Sequence, residues 1–231
     1  MKRTRSDSAR QLADLLRRQI LADEPLPCEQ DLCAEFATTR NTVREALDLL
    51  RADGLITRQP GVGTVVVGHK VPHGLNRLGG LAEILREHGE VTNEVRTAGP
   101  VPAPTVVAAR LRADEVVYIE RLRRLNGTPL SLDLTYLPLD VGLPLLDCDL
   151  TGRDIFPLIE ETSGQRLGYA DIDIEALNAD AETAAVLAVP TGSALLRWER
   201  LTHFESGRPV DLEYIRLRGD RLTMRARLDR S

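Results

Sequence analysis

The sequence of 231 residues has no stretch approaching the ~18 consecutive apolar residues that a membrane-spanning helix needs. Its basic start, Lys2, Arg3 and Arg5, leads into polar residues rather than an apolar signal core, so a cytoplasmic protein without membrane contact is expected. Cysteine is scarce. Cys28, Cys33 and Cys148 are odd in number and have no metal-ligand spacing, which argues against both a disulfide framework and a zinc site. The four histidines, His69, His73, His88 and His203, form no HExxH pair. Nucleophile elbow, P-loop and dinucleotide fingerprint are missing as well, so neither a cofactor nor a metal is expected.

What is present is the balance of a globular chain, 42% hydrophobic and 28% charged, long enough for one large or two modest domains. The net charge of −5 speaks against nucleic acid only until its distribution is read. Residues 1–70 hold 11 Lys/Arg against 10 Asp/Glu, whereas the remainder holds 19 against 25. The acidic excess therefore belongs to the second part of the chain, and basic residues in the first are free to cluster.

Ala9, Leu12, Ala13, Leu16 and Ile20 recur at helical spacing and predict an amphipathic helix over 7–22. A second helix is expected over 29–36. Thr38 and Thr39 supply cap oxygens for a third that runs to Arg51, and Gly54 closes it. Two short strands, 55–58 and 64–67, flank the glycine-rich tip around Gly61. A linker is read from Gly68 to Arg77. Beyond it a helix near 80–88 and strands near 92–98, 116–125, 130–137, 170–176, 193–204 and 210–217 are expected, with helices near 154–163 and 180–188. Helices and hairpins in one segment imply an α+β fold on an antiparallel sheet. An internal echo is visible: Glu120-Arg121-Leu122, Gly127 and Asp133 are matched by Glu199-Arg200-Leu201, Gly207 and Glu213, which predicts two similar hairpins.

In the third helix Val43, Ala46, Leu47 and Leu50 form one stripe, while Arg40 and Arg44 project together from another face beside Asn41. Two readings stand on spacing alone. One is a recognition helix whose guanidiniums meet guanine O6 and N7 while Thr39 and Thr42 meet phosphates. The other is a solvated surface with Arg44 paired to Asp48. On the strand Val117–Leu125, alternation points Val117, Ile119, Arg121, Arg123 and Leu125 to one inward face. Two inward arginines need anionic partners, which Asp133 or Asp211 could supply internally or a ligand could supply from outside. Asp171, Asp173 and Glu175 share a strand face opposite Ile172 and Ile174, as a solvated face or a cation or effector site.

Leu26–Leu32, Thr39–Leu47, Gly54-Leu55-Ile56 and Gly61-Val62-Gly63-Thr64 resemble the winged-helix domain of GntR-type bacterial transcription regulators. The resemblance implies that Arg40 and Arg44 read bases, that Thr39 and Thr42 hold phosphates, and that Gly61 places a wing in the minor groove. Cys28 stands where the family usually has Ser, and Gln30 where many members carry a DNA-contacting Arg. Cys28 is read as a reduced structural thiol, with a redox switch as the alternative. Glu120–Arg123, Gly127-Thr128-Pro129, Leu187–Gly192 and Arg218–Arg221 look like the UTRA domain of the HutC subfamily. It implies that Arg121 and Arg123 hold the anionic part of a phosphorylated or carboxylated metabolite, with Asp133, Asp211 and Glu213 as further effector contacts. Gly79-Gly80 would add free backbone amides. Gly80-Leu81-Ala82 replaces the Ser/Thr and Phe of relatives, and Leu217 replaces a Tyr.

The expected architecture is thus a winged helix-turn-helix over 1–68, a linker over 69–77 and a UTRA domain of chorismate-lyase-like fold over 78–231. The expected protein is a homodimeric repressor on palindromic double-stranded operator DNA. A small-molecule enzyme of chorismate-lyase-like fold and a pure dimerisation module are the alternatives. In the first reading the empty pocket carries uncompensated positive charge, partly offset by Asp133 and Asp211.

Overall fold

The computed structural model describes residues 5–21, 24–59, 62–67 and 70–229. It divides into two compact units that meet in sequence between Lys70 and Val71. In the first, α1 (Arg5–Leu21), α2 (Glu29–Glu35) and α3 (Arg40–Ala52) precede a hairpin of β1 (Ile56–Gln59) and β2 (Gly63–Val66). Leu12, Leu16 and Ile20 of α1 and Val43, Leu47 and Leu50 of α3 recur every three or four residues, so each helix turns one apolar stripe into a shared core with Leu32 and Leu55. Thr39 caps α3, its hydroxyl accepting the Thr42 N–H at 3.3 Å. Gly54 follows the helix with φ +70°, a conformation that suits glycine at a helix end. Cys28 occupies the cap position of α2 without a side-chain cap bond; its thiol donates to Asp31 instead.

The second unit is built on a six-stranded sheet in the order β4-β5-β6-β9-β8-β7, with every neighbour pair antiparallel. Its strands are β4 (Val91–Pro102), β5 (Glu115–Leu125), β6 (Thr128–Pro138), β7 (Leu167–Asn178), β8 (Ala194–Phe204) and β9 (Pro209–Arg218). The expected hairpins are β5–β6 and β8–β9, and they lie side by side through β6 and β9. Asn126 and Gly127 both take positive φ, 50° and 74°, which matches the twist of a two-residue hairpin turn. On one face lie α4 (Leu81–Leu85), α6 (Leu139–Leu145) and α7 (Ile155–Ser163); on the other lie α5 (Thr105–Leu111) and α8 (Ala181–Leu187).

Three features depart from expectation. The segment read as a linker contains a strand, β3 (Val71–Gly74), which pairs in parallel with β10 (Leu222–Arg225). Helices α5 and α6, of seven residues each, carry too few turns to show periodicity and follow Pro104 and Pro138. Strand β7 is an edge strand exposed on both faces: Asp171, Asp173 and Glu175 are open, and so in part are Ile172 and Ile174. The helices cover the inner strands and leave this edge bare, while Glu175 pairs with Arg197 at 2.6 Å. No helix among the described residues is long and apolar enough to cross a membrane.

Candidate nucleic-acid interface and buried polar band

The start of α3 displays Thr39, Arg40, Asn41 and Arg44 on the surface while Val43, Ala46 and Leu47 anchor the opposite side in the core. Thr42, expected at a phosphate, is placed on the buried side with its hydroxyl 2.9 Å from that of Thr39. Its role in the fold is to fix the cap. Arg44 does not meet Asp48, which pairs with Arg51; its Nε points to Glu29 of α2 at 3.4 Å. With the Arg44 side chain 62% exposed, that contact is weak, and the guanidinium stays available to a stronger anion. Gln30 is exposed on the neighbouring α2. Gly61 lies outside the described residues. The surface thus offers two guanidiniums and an amide from one helix start, a group suited to base edges in a major groove.

In the second unit the helix-bearing face formed by α4, α6 and α7 is divided into three. Val117, Ile119, Leu137 and Phe204 join one apolar cluster, and Leu130, Trp198, Ile215 and Leu217 join another. Between them runs a polar band across four strands. Register places Arg121 opposite Asp133 and Arg200 opposite Glu213, as the internal echo requires. The side chains pair somewhat differently. Arg123 gives Nε and Nη2 to Asp133 at 3.0 and 2.9 Å and Nη1 to Asp154 at 3.2 Å. Arg200 gives Nε to Glu213 at 2.8 Å, with Nη2 on the same oxygen, and Nη1 to the Gly79 carbonyl at 3.2 Å. Arg121 gives Nη1 to the Arg153 carbonyl at 3.2 Å. Its Nε has no partner, and neither has Asp211 Oδ1.

The sequence alone allows this band only a partial offset by Asp133 and Asp211; the structure adds Asp154 and Glu213 as partners of its arginines. Three guanidiniums face four carboxyl groups: Asp133, Asp154, Asp211 and Glu213. Burial opposes ionisation of Asp154, but Arg123 and Arg121 outweigh it and hold its carboxyl below the usual range. Asp211 goes the other way. Complete burial and the neighbouring Glu213 charge raise it well above an ordinary carboxylate, against the pull of Arg200. The backbone amides expected to be free are taken too: Ala82 and Glu83 donate to Asp154 Oδ2 at 2.9 and 3.2 Å, and Gly80 donates to Glu83 at 3.1 Å.

The structure brings Arg121, Arg123, Asp133, Asp211 and Glu213 into one band and sets Gly80 at its edge. Two members were missed, Asp154 and Arg200. Arg200 was visible in principle, because the echo aligns it with Arg121; Asp154 lies in a loop with no local signal. A cavity of about 250 Å³ opens beside Arg200, between residues 73–79 and the Gly168–Ile172 stretch of β7. His73 lines it, buried and edge-on to Trp198, and burial together with Arg200 lowers its pKa to about 4. A wider cleft of about 760 Å³ lies between the α5 and α6 ends and the β8–β9 turn, but its Asp140 and Arg208 pair with each other, so it is the poorer candidate.

The family model for bacterial regulatory proteins of the gntR family matches residues 9–66, and the UTRA domain model matches 86–223. The "Probable transcriptional regulator PhnF" of Escherichia coli K12 is 31% identical over 211 residues, 89% of this chain and 86% of that protein. The HTH-type transcriptional repressor NagR of Bacillus subtilis is 26% identical over 92% of this chain and 88% of its own. Solved PhnF from Mycobacterium smegmatis shares the fold, with TM-score 0.69 and 24% identity over 95% of this chain and 100% of that one.

Proposed function

The chain belongs to the gntR family of bacterial regulatory proteins and carries a UTRA domain, and from that premise we propose that it is a HutC-type repressor whose hold on operator DNA is set by a small molecule. DNA-binding transcription regulation is what the family and its named members share, and those names are of regulators rather than enzymes. One observation carries the operator reading: Arg40, Asn41 and Arg44 stand exposed at a capped helix start whose other side is the core of the unit. Arg40 and Arg44 read base edges in the major groove, Thr39 and Gln30 contact the backbone, and Thr42 holds Thr39 in place. Gly61 belongs to the wing. Because one winged helix covers a short half-site, the active species is a homodimer on a palindrome with half-sites about one helical turn apart. It works in the cytoplasm, where its DNA is.

The effector site is the polar band, with Arg121, Arg123, Asp133, Asp211, Glu213 and Gly80 around it. Support comes from the number of buried polar atoms left without partners in this unit, among them Arg121 Nε, Asp211 Oδ1, Trp198 Nε1 and His73 Nδ1. Residues 71–80 run from the DNA-binding unit into this site, so ligand contacts there bias how the two DNA-binding units of a dimer are presented. A coupling of about 1–3 kcal/mol is enough to change operator occupancy several-fold. Fluorescence anisotropy of DNA upstream of the protein's own gene tests the reading. Saturable binding, tighter than to scrambled DNA of equal length and altered by a metabolite extract, is expected. Equal affinity for both DNAs overturns it.

A further inference from the structure

The polar band contains a set of groups that together would hold an oxyanion: two converging backbone N–H donors, those of Ala82 and Glu83, and the Nη1 edge of Arg123. The chain fills that set itself. Asp154, only 4% exposed, reaches into it from the loop before α7, with one carboxylate oxygen on both amides and the other on Arg123. Gly80 makes this approach possible, since a Cβ at that position would lie 2.1 Å from Asp154 Oδ2.

Two of the three guanidiniums are engaged at every nitrogen: Arg123 by Asp133 and Asp154, and Arg200 by Glu213 and the Gly79 carbonyl. Arg121 gives Nη1 to the Arg153 carbonyl and keeps Nε without a partner. Asp133, Asp154 and Glu213 face Arg121, Arg123 and Arg200 in equal number. Burial and the neighbouring Glu213 push the fourth carboxyl, Asp211, well above the ordinary carboxylate range. An anion entering the cradle of Ala82, Glu83 and Arg123 would meet the Asp154 carboxylate already in place. The polar atoms left without a partner lie outside that cradle: Arg121 Nε, Asp211 Oδ1, Trp198 Nε1 and His73 Nδ1.

Resting on the reading of this band as the effector site, we infer that Asp154 is a built-in anion: its carboxylate fills the cradle of two amides and a guanidinium edge, so the effector places no phosphate or carboxylate there. The effector is then held elsewhere in the band, while Asp154 keeps this cradle closed whether or not a ligand is present.

The test uses the full chain, its Asp154→Ser variant and inorganic phosphate. Serine keeps a short acceptor near the α4 amides but removes the charge and opens space beside Arg123. By isothermal titration at neutral pH the wild type should show no saturable phosphate binding, and Asp154→Ser should bind at least roughly ten-fold tighter. Saturable binding of phosphate by the wild type overturns the inference, and so does a folded Asp154→Ser variant that ignores phosphate. If that variant fails to fold, the wild type still decides the matter by NMR. Its Ala82 and Glu83 amide signals should stay fixed as phosphate rises, and saturable movement of both would show Asp154 displaced by the ion. The effector reading fails separately: if Asp154→Ser binds phosphate yet its operator affinity is unchanged by it, the built-in anion is upheld and the coupling to DNA is not.

Discussion

Replacing Arg123 with methionine removes the cation that two buried carboxylates share. The methionine fills much of the same volume, so the loss is one of charge and hydrogen bonding rather than of packing. Arg123 is 2% exposed, Asp133 is fully buried, and three N–H edges are involved at 2.9 to 3.2 Å. Breaking one side of a buried pair costs about 3–5 kcal/mol because the partner is left uncompensated. Here two partners are stranded, so the upper part of that range is expected at pH 7. The sign of the pH dependence follows from Asp154. Its depressed pKa contributes stability in the wild type above the ordinary carboxylate range, lost as pH falls through the folded value. In Arg123→Met that cation is gone, and the burial of Asp154 is opposed by Arg121 without Arg123. Asp154 then takes its proton at a higher pH in the folded variant than in the folded wild type, so the variant's deficit is smaller at pH 5 than at pH 7. The chain's one tryptophan, Trp198, is fully buried in the second unit, so urea titrations followed by its fluorescence report on that unit. A loss under about 1 kcal/mol at pH 7, or an equal loss at both pH values, would refute the account of the band as a set of mutually dependent ion pairs.

Arg40→Ala and Arg44→Ala should each weaken operator binding by about 1–3 kcal/mol per half-site and relax base preference, as read by anisotropy against single-base operator variants. Thr39→Ala removes the α3 cap bond and should cost about 1 kcal/mol of stability in the first unit, measured by denaturation under circular dichroism. Gly80→Ala forces a methyl against the Asp154 carboxylate and should destabilise the second unit by about 1–3 kcal/mol; in an Asp154→Ala background most of that loss should vanish.

Much of this was legible in the sequence because it is local. The α3 stripe of Val43, Ala46, Leu47 and Leu50 follows helical spacing, and the burial of those four residues matches it. Alternation along Val117–Arg123 placed two arginines inward, and both are at most 2% exposed. The echo between residues 120–133 and 199–213 became two adjacent hairpins. What stayed hidden is non-local. Val71 pairs with Leu222, a partner some 150 residues away by sequence number, and no local pattern announces a parallel ribbon of that kind. Asp154 is 31 residues from Arg123, and its capture of the α4 amides depends on tertiary folding alone. Without it the arginine pair looks like a site waiting for an anion, and the charge balance of the band is misjudged.

The central claim is that the exposed start of α3 selects operator DNA. The most direct measurement compares wild type with the Arg40→Ala, Arg44→Ala double variant on the upstream operator and on scrambled DNA, at one fixed salt concentration. The wild type should prefer the operator by about 10³-fold or more, and the double variant should keep its weak hold on scrambled DNA while losing most of that preference. A double variant that discriminates as the wild type does would contradict the claim.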